Sequence, residues 1–353
     1  MDPVVADYGL QGAQFGMQEI NRSGAFLGKR YTLVTSVVTA TGDVKAAAEK
    51  LLEAGDSLII ADLEGPDLLA VADLPRARTA LILDARTSDD TLRQADCRGN
   101  VFHLLPNWAM RADALGQYLA HKNWKRWLLL TGATPADRAY AAAVKRAAAK
   151  DGASVVATKS YESGDGADGT SGPREQLQAQ LPAVTHIPAA YDVVFVTDTS
   201  NAFGDYLLFN TWDPRLVAGT HGLTAVAWNS QFREYAARSV NYRFYQGAKR
   251  DMSERDYGNW LATAVIGEAV TRSGKLDTAS IKSYLLSDQF SVPANKGEGL
   301  TFRHWDHQLR QPLLLFGPRM LVSMAPQPDT RGAQLATDAL GFDQAQSECR
   351  NMH

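Results

Sequence analysis

Arg86, Arg138 and Trp108 are the residues of this sequence best suited to grip a small molecule. Each is expected in a loop or helix start that follows a strand. A guanidinium pairs bidentately with a carboxylate and an indole stacks on a flat ring, so together they suit a planar, anionic ligand. Asp62 and Glu64 occupy a neighbouring loop and would instead suit an ammonium group or a metal. His221, isolated between Thr220 and Gly222, is placed either to touch a ligand or to serve as a hydrogen-bonded structural histidine.

Other chemistries find less support. Gly55-Asp56-Ser57-Leu58 spells a run in which some esterases present a nucleophilic serine. Such a serine follows a strand and opens a helix; here the run follows a helix and leads into a strand. Gly55 therefore reads as a helix C-cap, with Asp56 and Ser57 as turn residues. Neither G-x-S-x-G nor the Walker pattern occurs, and Gly9-Leu10-Gln11-Gly12 is not a dinucleotide fingerprint. His304-Trp305-Asp306-His307 is the densest metal-like cluster, yet its spacing suits a hairpin turn and supplies no assured third ligand, so no metal is expected. Two cysteines, Cys97 and Cys349, are too few for a disulfide scaffold. They would be bridged in an oxidising compartment and free in a reducing one.

The elements that must position these residues alternate. A helix at 9–22 comes first. Strand-like runs at 31–38, 57–61, 79–83 and 101–105 then interleave with helical runs at 43–54, 66–74 and 111–121. The pattern restarts with strands at 126–130, 154–158, 193–197 and 216–220 and helices at 137–150 and 202–209. A polar Gly/Asp/Ser loop at 162–173 is expected to be mobile. Helices at 230–246, 254–272 and 278–286, strands at 300–303 and 311–316 and a polar tail complete the chain. Such alternation means an α/β fold of two doubly wound lobes with parallel central sheets. Ligands of such sheets bind beyond the strands' carboxyl ends, which selects the loops holding Asp62, Glu64, Arg86, Thr87, Asn107, Trp108, Arg138, Asn201, Thr220 and His221. The length of 353 residues fits two domains at about 100–200 residues each. A net charge of -3 excludes a generally basic nucleic-acid binder, and no apolar run reaches membrane-spanning length. Residues 1–8 show no basic, apolar or A-x-A segment, so no signal peptide is expected in this chain.

The run at 12–34 (GAQFGMQEINRSGAFLGKRYTLV) resembles the opening of type I periplasmic solute-binding proteins, the branched-chain amino-acid receptor class. Segments 61–73, 96–120, 137–149, 211–228, 256–272 and 300–315 are similar to the subfamily associated with pyrroloquinoline quinone-dependent alcohol dehydrogenase systems, including members that bind the quinone itself. The resemblance implies a periplasmic protein of an ABC-type uptake system, with no catalysis and no catalytic cofactor. It implies pyrroloquinoline quinone as the ligand held in a cleft between the lobes. Its partners would be the transporter's membrane subunits and a quinoprotein alcohol dehydrogenase system, not nucleic acid. The family begins with a strand ahead of Asp2-Pro3, and this sequence starts just after it.

Several expectations follow from that resemblance. One lobe would comprise 1–121 with 232–292, the other 122–231 with 293–326, and 327–353 would form a tail. Crossovers near 121–125, 228–232 and 292–297 would act as hinges. Arg86, Arg111 and Arg138 would pair with the quinone's carboxylates, Trp108 and Trp228 would stack on it, and Thr220, His221 and Asn201 would add polar contacts. The Ser/Thr-rich loops that hold an amino acid in the receptor class read here as Asp62-Leu63-Glu64-Gly65 and Asp84-Ala85-Arg86-Thr87, against an ordinary amino-acid ligand. In the periplasm Cys97 and Cys349, both in polar flanks, would pair at the surface. Two readings stay open: the same fold holding an amino acid, an alcohol-derived acid or an aromatic metabolite, and a hydrolase using Ser57.

Overall fold

A computed structural model describes residues 7–39, 41–161, 173–328 and 335–350. They form two compact units, one holding 7–106, 227–311 and 344–350, the other 107–226 and 312–343. The expected loop at 162–173 and the segment around Asp2-Pro3 lie outside the described residues, save for Pro173.

The first unit is built on a parallel sheet in the order Leu58–Ala61, Leu81–Asp84, Val101–His103. The middle strand is buried along its whole length, as an apolar run covered on both faces must be. Helix Val44–Glu53 starts where the Asp43 carboxylate accepts from the Ala46 amide. It ends at Gly55, whose φ of 95° lets Gly55 and Asp56 donate back to Leu52 and Leu51. The Gly-Asp-Ser-Leu run is thus a helix stop followed by a strand. Helix Leu10–Ala25 packs along Glu254–Ser273 so closely that a Cβ at Gly12 would meet the Asp256 backbone. The turn 303–308 joins Gly299–Phe302 to Leu309–Arg310; in it His307 stacks on Phe102 at 4.1 Å and Asp306 accepts from the Gln308 amide.

The second unit carries a parallel sheet in the order Ser154–Ser160, Arg126–Thr131, Val193–Thr197, Leu216–Gly219. Alternate residues of its strands serve opposite faces. Trp127, Leu129, Val193 and Phe195 meet helices Trp108–His121 and Pro135–Lys150, while Leu128, Leu130, Val194 and Val196 meet Leu181 and Leu207 from the other side. A small antiparallel sheet, Leu321–Ala325, Leu313–Phe316 and Thr224–Val226, adjoins the first of these faces.

The structure corrects several expectations. Residues 31–38 are extended but join no ladder among the described residues, and Val34 and Val37 are exposed; alternation marks a sheet face only where a partner strand lies alongside. The helix expected at 230–246 begins at Ala237, because Tyr235 and Ala236 take positive φ values of 47° and 66°. The chain passes between units at 106/107, 226/227, 311/312 and 343/344. Helix Trp108–His121 therefore belongs with the strands that follow it, since its apolar face packs on their core. Residues 292–297 are no hinge: Val292–Pro293 pairs with Gly299 and Leu300, and Lys296 is buried within the first unit. Of the expected tail, the described residues 327–328 and 335–343 belong to the second unit, with Leu340 in its core. Cys97 and Cys349 are bonded, with Cα atoms 5.6 Å apart, and the pair is buried, not superficial.

Candidate functional site

In the first unit the loops after Ala61 and Asp84 bring two ion pairs to the carboxyl end of the sheet. Arg255 Nε donates to both oxygens of Asp62, at 2.6 and 2.9 Å. Burial holds the Asp62 carboxyl above its ordinary pKa, and the Arg255 guanidinium offsets part of that rise. Arg86 pairs with Glu64, the residue preceding helix Gly65–Ala72. Two carboxylates and two guanidiniums thus cancel, and this rim presents no net charge from the four.

Beneath it lies a buried polar network. Asp84 accepts from the Arg86 and Thr87 amides at 3.1 and 3.0 Å and from the Thr87 hydroxyl at 2.6 Å. Arg93, fully buried, donates to the Thr87 hydroxyl and carbonyl at 2.9 and 2.8 Å and to Gln308 Oε1 at 3.0 Å. His103 closes the network, 2.8 Å from Asp84 through Nδ1. Thr87 is thereby engaged inside the protein, where it fixes the loop that carries Arg86. Trp228 is also interior: it stacks on Tyr257 at 4.5 Å and 7°, meets Phe232 edge-on, and donates from Nε1 to Asn241.

In the second unit Asn107 caps helix Trp108–His121, accepting from the Met110 amide at 2.9 Å. Trp108 opens that helix half-buried, stacked on Tyr140 at 4.7 Å with the Arg111 guanidinium 5.8 Å from its ring centre. Arg111 Nη1 donates to the Ala225 carbonyl at 2.8 Å, so its side chain is held in place. Arg138 is exposed on helix Pro135–Lys150 and donates to the Ala133 carbonyl.

The loops after Val193–Thr197 and Leu216–Gly219 meet around one imidazole. His221 Nδ1 lies 2.9 Å from the Thr220 hydroxyl and Nε2 lies 2.6 Å from Asn201 Oδ1. Burial lowers its pKa, with Asp198 and Asp205 acting against that shift. Asn201 takes a positive φ of 58° and also donates to Asp205. Asp198, buried, organises the loop by accepting from the Ala202, Phe203 and Gly204 amides at 2.8–2.9 Å. The ring of His221 lies over Gly204, where a Cβ would occupy its place.

Thr220, His221 and Asn201 therefore form one cluster, Trp108 and Arg111 another, and Asp62, Glu64 and Arg86 a third with Arg255. Sequence reasoning missed Arg255 and Tyr140. A signal for Arg255 existed: Ser253 and Asp256 form a capping box, which marks the first turn of helix Glu254–Ser273 and hence a loop-facing position. Among the described residues no group of three or more His, Cys, Asp or Glu is arranged to hold a metal ion.

Residues 5–317 match the model of the periplasmic binding protein family. The chain belongs to that family. Its members bind solutes and are not enzymes, and membership implies an extracytoplasmic location. Among solved structures the binding protein is similar to a branched-chain amino acid ABC transporter periplasmic ligand-binding protein from Burkholderia xenovorans LB400, with 16% identity, coverage of 100% and 98% of the two chains and a TM-score of 0.77. It is also similar to a leucine-, isoleucine-, valine-, threonine- and alanine-binding protein from Brucella ovis, with 15% identity, 99% and 96% coverage and a TM-score of 0.76. A solute-binding protein from R. palustris in complex with benzoate shares 14% identity over 98% and 94% of the chains, with a TM-score of 0.69. These likenesses give the fold: α/β with parallel central sheets. Among curated proteins none matches the sequence.

Proposed function

We propose that this binding protein is the solute receptor of an ABC-type uptake system and that its solute is a flat, carboxylated ring compound, pyrroloquinoline quinone. The observation that carries the reading is Trp108 stacked on Tyr140 with Arg111 beside its ring, an aromatic surface next to a cation. A planar solute gains stacking from the indole and ion pairing from the guanidinium. In the first unit Asp62 and Glu64, the residues that favour an ammonium ligand, are each already paired with a guanidinium. Membrane subunits of the transporter, and a quinoprotein alcohol dehydrogenase system that uses the quinone, are the partners this reading supplies.

A second reading shares the same chemistry: an aromatic acid, as in the benzoate complex of the R. palustris protein. Titration with pyrroloquinoline quinone, benzoate and leucine, followed by tryptophan fluorescence and calorimetry, separates the readings. Saturable quenching and heat with the quinone alone are expected. Binding of benzoate or leucine without the quinone overturns the assignment. A thermal shift gives an independent check, since ligand at 100 times its Kd adds about 2.7 kcal/mol of stability.

A further inference from the structure

The last passage of the chain between units, at 343/344, is fastened on both sides. On the second unit's side, Asp113 is wholly buried and accepts from Arg146 and Lys150, each at 2.6 Å, and from the Gly341 amide at 2.8 Å. Lys150 also donates to the Ala339 carbonyl at 2.8 Å, and the Arg146 guanidinium lies 4.7 Å from the Phe342 ring centre. Leu340 between them is fully buried. This clasp ties 339–342 to helices Trp108–His121 and Pro135–Lys150. On the first unit's side, the Glu348 amide donates to Gln94 Oε1 at 2.7 Å and Cys349 is bonded to Cys97. Residues 343–346, between the anchors, are exposed.

We propose that residues 341–349 are a redox-sensitive strap that limits the excursion of one unit from the other while the Cys97–Cys349 bond is intact. The physical argument is one of reach. Cys349 lies seven positions beyond Phe342, and a chain extends at most about 3.6 Å per position, so the anchors stay within about 25 Å whatever the other three passages permit. Reduction of the disulfide by two equivalents of an external thiol, which leave joined as their own disulfide while their two protons pass to the Cys97 and Cys349 sulfurs, frees one anchor and removes the limit. The strap trims the widest states of the solute-free ensemble, so its release favours the solute-free form and weakens solute retention. That last consequence rests on the proposed solute-receptor reading; the limit on excursion does not.

The test uses the full chain without solute. Spin labels are carried on unnatural amino acids at the exposed positions Lys45, in the first unit, and Lys125, in the second. Distance distributions are measured for the oxidised protein, for C97S/C349S, and for a variant with six Gly/Ser residues inserted after Asp343. The insertion keeps both anchors and the disulfide. Circular dichroism checks that each variant is folded. The expected result is a long-distance edge that moves outward in both variants, by up to about 20 Å for six added residues. An unchanged edge in the insertion variant overturns the strap, even if C97S/C349S broadens, because the latter alone would reflect lost stability. Broadening in both variants with no quinone binding keeps the strap and discards the solute assignment.

Discussion

Replacing Gly204 by alanine tests how tightly the loops of the second unit are built around His221. A Cβ at Gly204 would fall within the imidazole ring, so the ring must leave its position. Leaving breaks its hydrogen bonds to the Thr220 hydroxyl and Asn201, each worth about 1 kcal/mol net. The side chain of His221 is 12% exposed, so the ring can swing toward solvent and the packing penalty stays near the low end of overpacking, about 1 kcal/mol. The sum is about 3 kcal/mol, or a fall in Tm of about 6–12 °C at about 2–4 °C per kcal/mol for a unit of this size. Thermal unfolding of the wild type, Gly204→Ala, His221→Ala and the double variant forms a cycle. In the His221→Ala background, Gly204→Ala is expected to cost less than about 1 kcal/mol, because the colliding ring is gone. An equal cost in both backgrounds refutes the argument and moves the glycine requirement to the backbone around Asp198.

Other predictions follow from the same contacts. Burial pushes the His307 pKa down to about 3 from 6.5, so the unfolded chain binds the extra proton and stability is lost as pH falls from 6.5 towards 3. Between pH 7 and pH 5 the loss is about 2 kcal/mol, read as the difference in urea unfolding between wild type and His307→Gln, and parallel pH profiles would count against it. With Cys97 and Cys349 at a sequence separation of 252, the chain-entropy model sets an upper bound of about 5 kcal/mol for C97S/C349S in denaturant unfolding, while thiol titration of the denatured, unreduced wild type should find no free thiol. Trp108→Phe should remove most of the fluorescence quenching by quinone and Trp228→Phe almost none, since Trp228 is enclosed by Tyr257 and Phe232; the reverse pattern would move the stacking surface to the first unit.

Much of the architecture was legible in the order of residues. Apolar runs such as Val193–Thr197 specify parallel strands because such strands are buried on both faces. Gly55, Asp43 and Asn107 mark helix ends through local hydrogen bonding, which depends only on near neighbours. The alternation of strands and helices likewise placed Asp62, Arg86, Trp108 and His221 after strands. What a residue does there depends on groups far away in sequence. Arg86 is held by Glu64 and Asp62 by Arg255, 193 positions on, and neither pairing leaves a mark in local periodicity. Trp228 looked like a stacking surface for ligand, yet Tyr257 takes that face. Residues 31–38 carry a strand's alternation without a ladder, because alternation encodes a face and not the strand beside it. The helix Trp108–His121 was assigned to the wrong lobe for a related reason: its pattern shows that one side is buried, while the strands it covers, Arg126–Thr131 and Val193–Thr197, come later in the chain. The sequence by itself determined most of the segments that fold and several of their ends, through short-range hydrogen bonding and the period of burial. Only the tertiary structure decided which charges cancel, which aromatic faces are covered and which unit each helix joins, because those follow from distances between groups that the chain brings together last.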